Sequence, residues 1–188
     1  MRAALAGVCS MFLLTACAGA TGAAVPAKEA AAAPGTARVA DEVSACTSPA
    51  GFRVSAPADW SVNTGDVLPE CSWFAAEPFP VVAGSDAGGA DVTLSVRPAG
   101  QVPARWPDQT ARALVDVDGE VAVRTEQVAS VGLYPAGTPI TTYVLGLPGE
   151  ALVLVASTVG LPGTAYERNV EVLDAMMGSL VLGDTLEA

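Results

Sequence analysis

From Phe52 onward, apolar and polar residues alternate in short runs. Phe52-Arg53-Val54-Ser55 alternates, Pro57-Ala58-Asp59 turns the chain, and Trp60-Ser61-Val62-Asn63 follows as a second short strand. Ser72-Trp73-Phe74-Ala75 gives a third, ended by the proline-flanked Phe79. Val92-Thr93-Leu94-Ser95-Val96 gives a fourth, after the glycine-rich stretch Gly84–Gly89. A period of two places one face of each strand on a core and leaves the other wet. Residues 105–117 carry two patterns. Pro107-Asp108 suits a helix start, whereas Ala111 to Val115 alternates as a strand; a short helical turn near Pro107, followed by a hairpin, is expected. Asp118-Gly119 is a two-residue turn signal, with Val121 to Arg124 beyond it. Ile140 to Leu145 and Leu152 to Thr158 flank Leu147-Pro148-Gly149-Glu150, where proline and glycine sit as a turn requires. The second of these runs is almost continuously apolar, so it is expected as a central strand buried on both faces.

One helix is expected over 165–177. Thr164 and Glu167 have capping-box spacing. Tyr166, Val170, Leu173, Met176 and Met177 form one stripe at helical spacing, and Gly178 ends the run. Ser179 to Leu182 then returns as a last strand. These elements predict an α+β domain over residues 44–184, with a single antiparallel sheet of about six strands and flanking helices.

The N-terminal part has a different pattern. Arg2 precedes about a dozen mostly apolar residues, Ala3 to Leu14, which are too few to span a bilayer and fit the core of an export signal. The run ends Leu14-Thr15-Ala16-Cys17. This ending resembles the lipobox of bacterial lipoproteins. The resemblance implies that residues 1–16 are a signal peptide, that Cys17 carries a diacylglyceryl group on its sulfur, and that cleavage leaves Cys17 as the first residue. Two acyl chains make a firm membrane anchor, at about 0.8 kcal/mol per buried methylene. Residues 17–43 then read as a flexible tether. Residues 18–43 include 11 alanines, with Pro26, Pro34 and several glycines and no aromatic residue. Such a coil reaches about 25–30 Å root-mean-square.

Charge and absences narrow the function. The chain has 188 residues and a formal net charge of −11. Nucleic-acid binders need basic patches, so nucleic acid is not an expected partner. There is no histidine, which removes Ser-His-Asp and Cys-His catalysis and any imidazole-held zinc. Lys28 is the only lysine and lies in the tether, so the domain has no Schiff-base or phosphate-loop lysine. No cofactor or metal is expected.

Three constellations remain. Cys46 and Cys71 are the cysteines left beyond Cys17, and an even remainder in an exported domain predicts a disulfide. Its closure is worth roughly 3.5 kcal/mol in the chain-entropy account. Asp116-Val117-Asp118-Gly119-Glu120 echoes part of a calcium loop but lacks the later acidic positions, and reads as a turn. Trp60, Trp73 and Trp106 are candidates for a ligand groove, against their commoner role as core.

The order of parts resembles small actinobacterial envelope lipoproteins of the LpqN/LpqT type with a PsbP-like fold. The residues behind the resemblance are Phe52 to Trp60, Cys71-Ser72-Trp73-Phe74, Val121 to Glu126, Tyr143 and Met177-Gly178-Ser179-Leu180. It implies an antiparallel sheet flanked by helices and a binding or accessory role without catalytic residues. The expected protein is therefore a non-catalytic binding module on the outer face of the cytoplasmic membrane. It is held through covalent lipid and carries an envelope protein or an apolar ligand. The alternatives are a carboxylate- or metal-dependent envelope hydrolase and a structural subunit of an envelope complex.

Overall fold

The structure, a computed structural model, describes residues 42–81, 89–149 and 151–183. The signal peptide expected over 1–16, Cys17 and the tether up to residue 41 lie outside the described residues.

Among the described residues, ten strands and one α-helix follow in chain order: β1 Val43–Ser48, β2 Phe52–Pro57, β3 Ser61–Val62, β4 Trp73–Ala75, β5 Val92–Pro98, β6 Gln109–Val117, β7 Glu120–Val128, β8 Pro139–Gly146, β9 Leu152–Val159, α1 Tyr166–Gly178 and β10 Val181–Leu182. A 3-10 turn, Ala99–Gln101, follows β5. The strands form two antiparallel sheets, one of three strands in the order β1-β2-β10 and one of seven in the order β3-β4-β5-β9-β8-β7-β6.

This corrects the expected fold. The described residues are mostly β, 45% strand against 12% helix, and two sheets replace a single six-stranded sheet with flanking helices. The physical reason lies in β2. Both of its edges are taken, by β1 on one side and β10 on the other. It therefore cannot join the larger sheet, and lies apart from it with Phe52, Val54 and Ala56 turned into the core. The helical turn expected near Pro107 does not form either. Asp108 takes a left-handed φ of 59°, and the residues after it pair with β7 as a nine-residue strand. The alternation of Ala111 to Val115 outweighed the proline signal, because a strand that finds a partner satisfies its backbone groups over its whole length.

Both hairpins form where turn chemistry placed them. Asp118 and Gly119 have φ of 55° and 81°, joining β6 to β7. β8 and β9 pair in continuous register from Ile140↔Val159 to Gly146↔Val153. β9 lies between β5 and β8, so it is central as expected.

The core fills the space between the small sheet, α1 and one face of the large sheet. It joins Val54 of β2, Phe74 of β4, Leu94 of β5, Leu154 of β9 and Leu173, Met176 and Met177 of α1. α1 lies against both β2 and β9 and so links the two sheets. Its capping box is not made: the cap position is Ala165, and the Thr164 hydroxyl donates to the Leu161 carbonyl at 2.8 Å instead. The sheet side of α1 also includes Asn169, a polar residue that the apolar stripe alone does not reveal.

Candidate functional site

β3 is only two residues long. It pairs with β4 as Ser61↔Ala75 and Val62↔Phe74, so residues 63–72 must return within a compact loop. Asn63 organises that return. Its Oδ1 accepts the backbone N–H of Ser72 at 2.9 Å and of Trp73 at 2.8 Å. Its Nδ2 donates to the carbonyl of Pro69 at 2.8 Å and, at longer range, to that of Leu68. An asparagine with two acceptor sites and two donors suits this duty, because it can serve backbone groups on both arms of one loop.

The loop and the segment after β4 enclose a cleft of about 360 Å³. Val62, Val67, Leu68, Phe79 and Val81 give it an apolar part, Ser61, Asn63, Thr64 and Asp66 a polar part of comparable extent, and among the described residues lining it Asp66 is the one ionisable group. The volume falls at the lower end of the range for small-molecule sites, roughly 300–1,000 Å³.

The three tryptophans are not brought together around it. None lines the cleft. Trp60 is core, with its indole N–H buried and lacking a hydrogen-bond partner among the described residues. Trp106 is half-buried in the connection before β6. Trp73 acts indirectly: its ring is 6.0 Å from that of Phe79, tilted by 48°, and so supports one wall of the cleft. The lining residues themselves are ordinary loop types, and no periodicity or motif marks them in the sequence.

Cys46 and Cys71 are bonded, with Cα atoms 5.8 Å apart. The bridge fastens β1 to the residue two places before β4, close to the base of the cleft loop. The Glu70 carboxylate lies near both sulfurs. Sulfurs spent in a disulfide have no thiolate to offer, so the trio is not a metal site.

A second polar cluster lies between α1 and the large sheet. Arg124 of β7 reaches Asp174 of α1 through two nitrogens, at 3.1 and 3.3 Å, and also pairs with Glu126. The Tyr143 hydroxyl donates to Asp174 Oδ1 at 2.7 Å, and the Arg124 guanidinium stands 5.8 Å from the Tyr143 ring centre. Burial works against the charged guanidinium, but the bonds to Asp174 and Glu126 outweigh it and hold its pKa above the ordinary value. Burial and the bond to Asp174 raise the Tyr143 hydroxyl well above the usual tyrosine value. The two carboxylates thus share one cation, Arg124. The arrangement straps the helix to the sheet.

No protein-family model matches this chain, and no curated protein shows significant similarity to it.

Proposed function

We propose that the protein is an exported, lipid-anchored module of the cell envelope that binds an apolar molecule or a partner's apolar side chain in the cleft beside β3, without acting on it chemically. One observation carries the binding half of this reading: the cleft sets apolar side chains beside uncharged polar ones and, among the described residues, holds a single ionisable group, Asp66. Carboxylate-based hydrolysis of envelope polymers ordinarily needs a second group to pair with the first. The bonded Cys46 and Cys71 fit an oxidising compartment beyond the cytoplasm. The anchor rests on Leu14-Thr15-Ala16-Cys17 and on the apolar run before it.

Two measurements test the two halves separately. Detergent-phase partitioning tests the anchor: the wild type enters the detergent phase and Cys17→Ala moves to the aqueous phase, and equal partitioning of both removes the anchor. Native mass spectrometry of the protein released from membranes tests the cleft. A bound apolar mass is expected in the wild type and is lost in Val67→Arg, a substitution at an exposed cleft residue. A wild type without bound mass, or hydrolysis of an envelope polymer that Asp66→Asn abolishes, overturns the binding reading.

A further inference from the structure

β6 is an edge of the seven-stranded sheet, and among the described residues nothing pairs with its outer side. It is nine residues long, contains neither lysine nor proline, is exposed from Thr110 to Leu114, and beyond an irregularity at Gln109/Ala111 pairs in regular register from Ala111 to Val117. Long open edges are normally blunted, because they invite another strand to pair. The two charges on this strand, Arg112 and Asp116, have opposite sign and stand symmetrically about Leu114.

We propose that two copies of this chain associate by antiparallel pairing of β6 with β6, about a two-fold axis at Leu114. In that register Arg112 faces the second copy's Asp116, and the reverse pair repeats across the axis. Ala113 faces the second copy's Val115, and Leu114 faces Leu114. Charge favours this register: with the axis at Ala113 or Val115 the two Arg112–Asp116 pairs are lost, and Arg112 or Asp116 faces Leu114 instead. An axis at Arg112 or at Asp116 would set like charges directly opposite each other, which is unfavourable. Neither residue belongs to an ion pair among the described residues.

A second observation points to the same axis. Within one chain, Leu114 pairs with Val123, Val123 with Val144, and Val144 with Val155. These four residues form one row across the outer face of the sheet. Leu114 closes the row at the edge, 66% exposed. Pairing through Leu114 joins the row to its copy and covers its open end. The isologous geometry closes on itself, so it yields a dimer and not a fibre.

The test uses the full chain carrying Cys9→Ser and Cys17→Ser, so that any introduced thiol is the only free one. Opposed residues of an antiparallel pair have Cα atoms about 4.5–5.5 Å apart, within disulfide reach. Leu114→Cys is therefore expected to form a covalent dimer on mild oxidation at least roughly tenfold faster than Val121→Cys, the exposed control on the same hairpin. Light scattering of the parent chain should show a dimer that Arg112→Asp or Asp116→Arg weakens by about tenfold or more, and that the two reversals together restore. All four sites are exposed, and unchanged circular dichroism establishes that the variants fold. A chain that stays monomeric at every concentration overturns the proposal, whether or not other proteins dock on this edge. So do equal cross-linking at 114 and 121, and failure of the double reversal to restore the dimer.

Discussion

Asn169, on the sheet side of α1, donates its side-chain amide to Oδ1 of Asp91 at 2.9 Å. Asn169 is only 2% exposed. The second carboxylate oxygen of Asp91 accepts the backbone N–H of Ala76 at 3.0 Å, and its carbonyl accepts the Thr158 hydroxyl at 2.7 Å. One aspartate at the entrance of β5 thus fastens the helix, the end of β4 and β9 at a single point. Asn169→Ala leaves the carboxylate short of a buried donor and is expected to destabilise the domain by about 1.5–3 kcal/mol. Asp91→Asn keeps a neutral acceptor and should cost less. Urea unfolding of the three proteins gives the order, and an Asn169→Ala midpoint equal to wild type would show that the bond contributes nothing.

Two tyrosines, Tyr143 of β8 and Tyr166 at the start of α1, set the alkaline limit of stability. Tyr143 is raised by burial and by its bond to Asp174, and Tyr166 is raised chiefly by burial. Both keep their proton in the fold after a free tyrosine has begun to lose it, near pH 10. Below that pH the folded and unfolded states bind equal numbers of protons at these sites, so stability does not vary with pH through them. Above it the unfolded state binds fewer, and stability falls as pH rises, by up to about 1.4 kcal/mol per unit for each tyrosine. Unfolding measured from pH 8 to 11 should show a plateau and then a decline. The decline should be shallower in Tyr143→Phe; a slope identical to wild type would exclude Tyr143 from it.

Gly160 allows the start of β8 and the start of α1 to approach each other. A methyl group there would stand 2.6 Å from Cγ and 3.0 Å from Cδ of Pro139, and 3.1 Å from Cγ of Tyr166. The proline ring is held by β8 and cannot swing aside. Gly160→Ala is expected to destabilise by about 1–3 kcal/mol, as overpacking does. Gly100→Ala, where nothing lies within 4 Å, is the matched control and should be close to neutral. Comparable unfolding midpoints for the two variants would mean that the contact relaxes freely.

What the chain revealed in advance follows the range of each signal. Asp118-Gly119 and Pro148-Gly149 act over two to four residues, and both hairpins stand where those turns put them. The apolar stripe of α1 spans a few turns, and it too was legible, down to Leu173 and Met176. The second sheet was not. β2 finds its partners in β1, which directly precedes it, and in β10, which follows it by well over 100 residues. Alternation in Phe52 to Ser55 announces a strand without saying which strand it will join. The tryptophans misled for a related reason. Residue type marked them as ligand-binding candidates, but burial took Trp60 into the core and left the cleft to Val62, Val67 and Leu68. The organiser of that cleft, Asn63, gives no sign of its role until residues 68–73 fold back onto it.

The Cys46–Cys71 bridge has a mechanical meaning. Tension entering the domain from its N-terminal side reaches β1 first, where Val43, Ser44 and Ala45 pair with Pro57, Ala56 and Ser55. These three residues can be peeled away one at a time, and then the load arrives at Cys46. There the covalent link diverts it into Cys71 and the neighbouring β4, which is paired on both sides within the seven-stranded sheet. Pulling harder no longer unzips an edge strand but shears an interior one. The bridge divides the domain into a fringe that yields and a body that holds, and reduction would move that boundary inward.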